Sequence, residues 1–336
     1  MATLRPIASL SGHEDRVWHV CWSPDGKRFA SCGEDKTVRI WMIYDNKITS
    51  EPQFYCAHTI EGGHSRTIRS CEWSPCSRFL ATASFDGTVL VYQSQGPRNW
   101  QQIAILEGHD NEVKSVAWSA DGLYLATCGR DKKIWVWEKI DNNDFECVAV
   151  LDGHSQDVKF LTFHPHLPYL YSTSYDDTTK IWTEDGGDWY CVSTLIGHQS
   201  TVWSCLPLCG GKLLLTVSDD RSAILWCCDS ETDYSQSWRK VSVSHNVHSQ
   251  AIYTVHAHGN DIAPLIATGG GDNTIILMSI QRGDDGLESL QREGEVRNAH
   301  DGDVNCVRWN PRPDMGGLLL TAGDDGLIKL WMLEIE

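Results

Sequence analysis

The stretch GHDNEVKSVAWSADGLYLATCGRDKKIWVW, residues 108–137, decides the fold of this 336-residue chain. Its apolar pattern predicts three short strands, Val113–Trp118, Leu123–Cys128 and Ile134–Trp137. The Asp121-Gly122 pair between the first two strands is a strong signal for a tight hairpin. Three strands of this length cannot bury their faces alone, so the chain should contain several copies of the unit.

Seven copies follow one another along the chain. A histidine opens each copy, and an aspartate comes 22 residues later in the first five copies and 24 and 25 residues later in the last two. A serine or threonine stands four residues before each aspartate, and an aromatic residue stands six residues after it in every copy except the sixth. The six complete sets are His13, Ser31, Asp35 and Trp41; His64, Thr82, Asp86 and Tyr92; His109, Thr127, Asp131 and Trp137; His154, Ser172, Asp176 and Trp182; His198, Thr216, Asp220 and Trp226; and His300, Thr321, Asp325 and Trp331. The sixth copy has His248, Thr268 and Asp272 but carries Met278 at the aromatic position and Val247 before the histidine, so the pattern leaves its register open.

The four recurring residues have complementary hydrogen-bonding chemistry. An aspartate in a tight turn between the second and third strands has a half-buried carboxylate, which must find hydrogen-bond donors. The histidine N–H, the hydroxyl and the indole N–H can all donate to it, so we expect the four side chains to hold the fold together. The set resembles the structural tetrad of WD40 repeat proteins, although the Trp-Asp dipeptide that names those repeats is absent.

An enzymatic interpretation of the same residues is disfavoured. Serine, histidine and aspartate are also the parts of a hydrolase triad. Seven near-identical copies without a Gly-x-Ser-x-Gly motif are not typical of a hydrolase. The sequence therefore predicts no catalytic residue.

The repeat predicts an all-β fold, a single seven-bladed WD40 β-propeller spanning residues 1–336. The blades are expected at about 11–60, 62–106, 107–151, 152–195, 196–244, 247–297 and 299–336. Fourth strands are expected between copies, at Phe54–Ile60, Trp100–Leu106, Phe145–Leu151, Trp189–Leu195 and Trp238–Ser244. No such strand follows Trp331, so Leu4–Leu10 is expected to pair with the last blade and close the ring.

Composition narrows the class of protein. A net charge of −17 argues against a nucleic-acid backbone or an anionic membrane as the main partner. The sequence shows neither a secretion signal nor an apolar run of 18 residues. Thirteen cysteines, without any C-x-x-C pair, suit a reducing compartment and predict no metal site and no cofactor.

One face of the propeller should carry the residues that bind a partner. The turns that hold the histidine and the aspartate meet there, and the positions three and five after the histidine and one before the aspartate project from it. Their residues differ between blades and include a cationic and aromatic cluster: Arg130, Lys114, Arg69, Lys159, Tyr175, Phe85, Trp18, Trp203 and Tyr253. Because arginine and aromatic side chains suit protein interfaces, we predict a peptide-binding surface. The alternative is that the cations pair with Glu34, Glu112 and Asp157 and only neutralise the face.

Several longer strings resemble one particular family. They are DFECV at Asp144–Val148, NEVKSVAW at Asn111–Trp118, ATCGRDKKIWVW at Ala126–Trp137, STSYDDTTK at Ser172–Lys180, DVNCVRWN at Asp303–Asn310, Ser74-Pro75-Cys76 with LATASFDG at Leu80–Gly87, and STVWS at Ser200–Ser204. They are similar to the WD40 subunit of the complex that targets cytosolic iron–sulfur protein assembly. The similarity covers essentially the whole chain and is densest in the second to fourth blades.

The resemblance implies a non-enzymatic adaptor of the eukaryotic cytoplasm, with a nuclear location left open. Its implied partners are a small subunit with a reactive cysteine, a large helical-repeat adaptor and iron–sulfur apoprotein clients, without direct contact to nucleic acid or membrane. An arginine on the top face is important in that family, and Arg130 occupies the matching position.

Two other classes of protein compete with this interpretation. One is a generic WD40 interaction scaffold, such as a ubiquitin-ligase substrate receptor or a chromatin-complex subunit, although the Trp-Asp-x-Arg docking box of ubiquitin-ligase receptors is missing. The other is a propeller enzyme, which would need non-repeated polar groups converging at the channel mouth.

Overall fold

Seven four-stranded antiparallel sheets around a central channel make up the fold in the computed structural model. The structure describes residues 2–45, 52–140, 144–230, 238–259, 263–282, 288–315 and 317–335. The strands are β1 (Ala2–Leu10), β2 (Val17–Trp22), β3 (Arg28–Gly33), β4 (Val38–Asp45), β5 (Pro52–Ile60), β6 (Ile68–Trp73), β7 (Phe79–Ser84), β8 (Val89–Gly96), β9 (Asn99–Leu106), β10 (Val113–Trp118), β11 (Tyr124–Gly129), β12 (Lys133–Lys139), β13 (Phe145–Asp152), β14 (Val158–Phe163), β15 (Tyr169–Ser174), β16 (Thr178–Asp185), β17 (Asp188–Ile196), β18 (Val202–Leu208), β19 (Leu213–Ser218), β20 (Ala223–Cys228), β21 (Trp238–Ser244), β22 (Ile252–His258), β23 (Leu265–Gly270), β24 (Ile275–Arg282), β25 (Glu288–Val296), β26 (Val304–Trp309), β27 (Leu318–Gly323) and β28 (Ile328–Ile335). Short 3-10 helices lie at Cys209–Gly211 and Pro313–Met315.

The hairpin at Asp121-Gly122 shows how local sequence sets the strand pairing. Gly122 has a φ of +73°, a region that residues with a Cβ atom avoid. Ser119 Oγ donates to Asp121 Oδ1 at 2.6 Å and so holds the turn. Strands β10 and β11 then pair antiparallel with Trp118 opposite Leu125.

Each blade consists of four strands that are consecutive in the chain, except for the seventh. Its sheet has the order β1-β28-β27-β26, and β1 runs antiparallel to β28 with Leu4 opposite Leu333. Ala2 and Leu4 are buried in the core between the sixth and seventh blades. The predicted seven-bladed propeller and its closure by the N-terminal strand are therefore confirmed.

The core lies between the blades. Seven buried apolar clusters among the described residues each join two neighbouring blades, as where Val89 and Val91 of β8 pack with Val113 and Val116 of β10. The innermost strands, β2, β6, β10, β14, β18, β22 and β26, contact one another in a closed ring around the channel. A blade therefore buries its apolar faces only in the presence of its neighbours.

One outer strand differs from expectation. The fourth strand of the sixth blade, β25, is absent from the predicted fourth strands. It pairs with β24, with Glu288 opposite Arg282 at one end and Val296 opposite Ile275 at the other. Its sequence is dominated by polar residues because an outermost strand has one face in solvent, so it lacks a strong apolar alternation. No helix among the described residues has the length and apolarity needed to cross a bilayer.

Candidate partner-binding face

The recurring polar residues form a hydrogen-bonded series, which blade three shows in full. His109 Nδ1 lies 2.7 Å from Asp131 Oδ2, and His109 Nε2 lies 2.9 Å from Thr127 Oγ1. The indole Nε1 of Trp137 donates to the same Thr127 oxygen at 3.1 Å. The expectation that the hydroxyl and the indole donate directly to the aspartate is therefore wrong. The indole donates to the hydroxyl, the hydroxyl faces Nε2, and the Nδ1–H of the histidine donates to the carboxylate.

All seven blades have the histidine, hydroxyl and aspartate in contact. The paired atoms are 2.7–3.1 Å apart in the other six blades, including the sixth, where His248 lies between Asp272 and Thr268. This geometry settles the register that the sequence left open there. The sixth blade still differs from the third, because Met278 has no N–H to donate to the Thr268 hydroxyl.

Sequence reasoning missed further hydrogen-bond donors around the tetrad aspartates. A hydroxyl two residues after the aspartate donates to it in blades one, two, four and five, from Thr37, Thr88, Thr178 and Ser222. Burial of the Asp35 carboxyl raises its pKa, but hydrogen bonds from His13 and from main-chain N–H groups outweigh burial and lower the pKa to about 2. The carboxylates are therefore ionised and structurally engaged at neutral pH, and their position leaves them 5–12% exposed.

The top face, where the histidine and aspartate turns meet, has the same backbone in every blade. The N–H of the residue before the aspartate donates to the carbonyl of the residue three after the histidine, as from Arg130 to Glu112, at 2.9–3.1 Å in all seven blades. The repeat thus holds these two positions in a fixed place while leaving their side chains free to vary. Differences between blades on this face are differences of side chain alone.

A ring of side chains, here called the collar, surrounds the channel below this face. In each innermost strand a β-bulge falls on the residue five after the histidine. A bulge re-aims the side chain of the extra residue. The collar consists of these seven bulge residues, Trp18, Arg69, Lys114, Lys159, Trp203, Tyr253 and Asn305. None of them is fully exposed, since Asn305 is buried and the other six are half-buried.

The predicted cations and aromatic residues contact one another. The guanidinium of Arg69 lies 4.9 Å from the ring centre of Trp18, and Lys114 Nζ lies 4.3 Å from that of Phe85. Lys159 Nζ lies near two further rings, 5.0 Å from the ring centre of Tyr175 and 5.2 Å from that of Trp203. The Trp203 ring in turn packs edge-on against Tyr253, with centroids 5.2 Å apart. The structure thus brings eight of the nine predicted residues into cation–aromatic or aromatic contacts.

Exposure divides these residues in a way that the sequence did not predict. We expected the aromatic residues to lie exposed on the face, but of the five only Tyr175 does, with 56% of its surface accessible. Trp18, Trp203 and Tyr253 belong to the collar and are half-buried. Burial, and then the charge of Asp303, raises the pKa of Tyr253 to about 12, so its hydroxyl stays protonated.

Glu112 connects the most accessible cation to the others. Its carboxylate lies 2.7 Å from Lys114 Nζ, 2.9 Å from Arg66 Nη2 and 3.8 Å from Arg130 Nη1. Burial opposes ionisation of Glu112, yet its pKa is lowered because Lys114 and Arg66 donate to it. Sequence reasoning missed Arg66, which stands two rather than three residues after its histidine. Its guanidinium also lies over the Phe85 ring, 5.9 Å from its centre.

The alternative, in which nearby carboxylates neutralise the cations, applies to only part of the face. Lys114 pairs with Glu112, and Lys159 Nζ lies 3.4 Å from Asp157. The Arg130 side chain remains 57% exposed, with its one carboxylate contact at the long distance given above. Arg130 is therefore the cation of this set that is most available to a partner.

One group of potential metal ligands lies in the channel wall. His19, Cys21 and Cys71 are the one such set in the described ranges whose ligand atoms lie within 4.8 Å of one another. Arg308 Nη2 lies 2.9 Å from His19 Nε2, and a guanidinium can only donate. The main-chain N–H of Cys71 faces the other ring nitrogen, His19 Nδ1, at 3.5 Å, so both ring nitrogens already lie next to donors of the protein itself. The geometry gives no support for a metal at these residues, and all thirteen cysteines are free thiols.

Comparison with known proteins agrees with this architecture. The WD domain, G-beta repeat family (WD40) matches six segments, residues 4–42, 54–93, 100–138, 145–183, 189–227 and 293–332. Each segment spans an outer strand and the three strands that follow it. The first three strands of the sixth blade, β22 to β24, fall outside the matched segments, consistent with Met278 at its aromatic position.

Curated relatives match the full length of the chain. It is 42% identical over 348 residues to the probable cytosolic iron-sulfur protein assembly protein Ciao1 of Culex quinquefasciatus, covering 99% of both chains. It is 45% identical over 358 residues to the CIAO1 homolog of Chlamydomonas reinhardtii, covering 98% of this chain and 99% of the relative. The chain belongs to the CIAO1 family. Protein CIA1 of Arabidopsis thaliana, another member, is 42% identical over 346 residues, covering 97% of this chain and 96% of the relative.

Membership of the CIAO1 family confirms the resemblance that the sequence strings indicated. In this CIAO1-family chain, several of those strings carry residues of the top face. NEVKSVAW contains Glu112 and Lys114, and ATCGRDKKIWVW contains Arg130 next to the tetrad residue Asp131. The strings therefore combine the structural repeat with the side chains that distinguish one blade from another.

Proposed function

We propose that this CIAO1-family chain acts in cytosolic iron–sulfur protein assembly as a non-enzymatic scaffold. Through its basic, aromatic-rimmed top face it docks a small subunit with a reactive cysteine, a large helical-repeat adaptor and apoprotein clients. The names of its relatives support the cellular process, and the non-repeated cations and aromatic residues of the top face support the docking role. The proposed location is the cytoplasm, with no direct contact to nucleic acid or membrane.

The observation that carries the docking role is the exposed guanidinium of Arg130 beside a contiguous aromatic and cationic surface. The main-chain N–H of Arg130 donates to the carbonyl of Glu112, and this bond fixes the backbone from which the Arg130 side chain extends. Phe85, Lys114 and Arg66 next to it supply apolar surface and further donors. A fixed arginine within such a surface is typical of residues that contribute strongly to protein–protein affinity.

Affinity capture of the tagged full chain from its own cell extract, quantified by mass spectrometry, tests this proposal. The parent chain should enrich iron–sulfur assembly subunits. Arg130→Glu should reduce their recovery by about tenfold or more, because it reverses a charge at the docking surface. Its thermal melt should match that of the parent, since the side chain is exposed.

Arg98→Glu is the matched control. Arg98 is an exposed arginine in the turn between β8 and β9, on the opposite face of the propeller, and its variant should recover partners as the parent does. Equal recovery by Arg130→Glu and the parent would show that the top face around Arg130 does not dock partners. Recovery of cullin adaptors or chromatin subunits in place of iron–sulfur assembly subunits would point to a generic WD40 scaffold.

A further inference from the structure

Arg69 is the collar cation that has no acidic partner. Its guanidinium stacks on Trp18 at 4.9 Å, and no hydrogen bond or carboxylate within 4 Å engages it among the described residues. Burial lowers the pKa of Arg69, and the charge of Arg308 lowers it further, whereas neighbouring thiols act in the opposite sense. A half-buried guanidinium normally has an acceptor for its five N–H groups.

Two lysines extend the positive charge around the same side of the ring. Lys114 and Lys159 occupy the collar positions of blades three and four, next to Arg69 in blade two. Burial lowers the pKa of Lys159, and the charges of Lys114 and Arg69 lower it further, so the three cations lie within electrostatic reach of one another. Glu112 and Asp157 stand beside the two lysines, which leaves one positive charge in excess at Arg69.

The opposite side of the top face has the opposite charge. Burial and the nearby charge of Asp324 raise the pKa of Asp303. Arg16 lies 3.7 Å from Asp324 and 3.9 Å from Glu34, so this cation is already engaged. An anion entering the channel mouth is therefore repelled by blade seven and attracted toward blades two to four.

We propose that the collar of blades two to four is a binding site for a small oxyanion of the phosphate class. Three donors from three successive blades suit a tetrahedral oxyanion, which presents an oxygen to each of them, better than a carboxylate with two oxygens. Arg69 supplies the guanidinium without a counter-charge, and Lys114 and Lys159 approach from the adjacent blades. The site is a property of the isolated chain and does not depend on the proposed docking of partners.

Binding is measured on the full chain at pH 7 by calorimetry and thermal melting, with inorganic phosphate as the probe. Phosphate should raise the melting temperature saturably, above the effect of sodium chloride at equal ionic strength. Arg69→Gln should weaken phosphate affinity by about tenfold, because it removes a charge-assisted donor. Lys159→Gln should weaken it as well, while Arg98→Gln, an equal loss of charge on the opposite face, should leave it unchanged.

A second arm distinguishes the free ion from a phosphate group on a larger molecule. N-acetyl-O-phosphoserine amide binds in competition with inorganic phosphate if the site accepts an attached group, and fails to compete if it accepts the free ion alone. Equal effects of chloride and phosphate, equal competition by acetate, or unchanged phosphate affinity in Arg69→Gln would each overturn the proposal. Circular dichroism checks that Arg69→Gln is folded. If Arg69→Gln is not folded, Lys159→Gln and Lys114→Gln take its place: weaker phosphate affinity supports the proposal, and unchanged affinity overturns it.

Discussion

Arg130 and Asp131 are adjacent in the sequence and belong to two regions with opposite properties. The Asp131 carboxylate is 5% exposed and bonded to His109, whereas the Arg130 guanidinium is 57% exposed and faces solvent. The first belongs to the tetrads, which recur in all seven blades, and the second to the top face, whose side chains differ from blade to blade. The repeated groups satisfy one another within a blade, so the groups left available to a partner are the ones that are not repeated.

The same contrast holds for the ring as a whole. Tetrad aspartates take donors from their own blade, so each blade closes its own polar network. Collar residues also contact a neighbouring blade, as Lys159 contacts Trp203, so their chemistry depends on which blades are neighbours. A substitution in a tetrad should therefore change stability, and one on the top face should change binding.

Acid should affect the tetrads far more than the collar. The pKa of Asp35 in the folded chain is about 2, below its ordinary value of 3.8, so its contribution is complete above about pH 4 and is lost as the pH falls toward 2. Asp272 behaves in the same way, with a pKa of about 2. Lysine and arginine side chains ordinarily lose their protons only at far higher pH. We expect cooperative unfolding between about pH 4 and pH 2, followed by tryptophan fluorescence.

Asp35→Asn provides the control for the acid titration. The variant should be less stable at pH 7, since the amide cannot replace the carboxylate, but its stability should fall less steeply below pH 4. Parallel pH profiles for Asp35→Asn and the parent would contradict the role of this carboxylate in acid unfolding.

Asp131→Ala and Arg130→Ala test the contrast between neighbouring residues. Asp131→Ala leaves the Nδ1–H of His109 and the main-chain N–H of Lys133 without their acceptor, and should lower the free energy of unfolding by about 1–3 kcal/mol. Arg130→Ala should change it by about 0.5 kcal/mol or less, as an exposed substitution does. Urea unfolding at pH 7 measures both. If the two variants lost equal stability, the division between tetrad and top face would fail.

Thr127→Val and Thr268→Val make the smallest and sharpest comparison, that between a complete tetrad and an incomplete one. Thr127→Val leaves both His109 and the Trp137 indole unsatisfied, whereas Thr268→Val affects His248 but no indole. Thr127→Val should therefore be more destabilising by about 1 kcal/mol, measured by urea unfolding. A larger loss from Thr268→Val would show that the indole contributes little to the tetrad.

Much of the collar was readable from the sequence because it follows from the repeat spacing. Counting five residues from each histidine selects the seven residues at which the β-bulges fall, without knowledge of the bulges themselves. Arg66 escaped the same counting because it reaches Glu112 from outside the three selected positions, by the length of its side chain. The half-burial of Trp18 and Trp203 was also missed, since spacing places a residue in a turn or strand but does not say how far it is covered.

The sequence by itself determined the seven-fold repeat, the propeller, its closure by the N-terminal strand and the family. Those features depend on residues close together in the chain, on strand alternation and on a spacing repeated many times, so each copy reinforces the others. Only the tertiary structure decided the direction of the hydrogen bonds in the tetrads, the half-burial of Trp18 and Trp203 and the missing counter-charge of Arg69. These depend on contacts between different blades and on distances between atoms, which local sequence patterns do not encode.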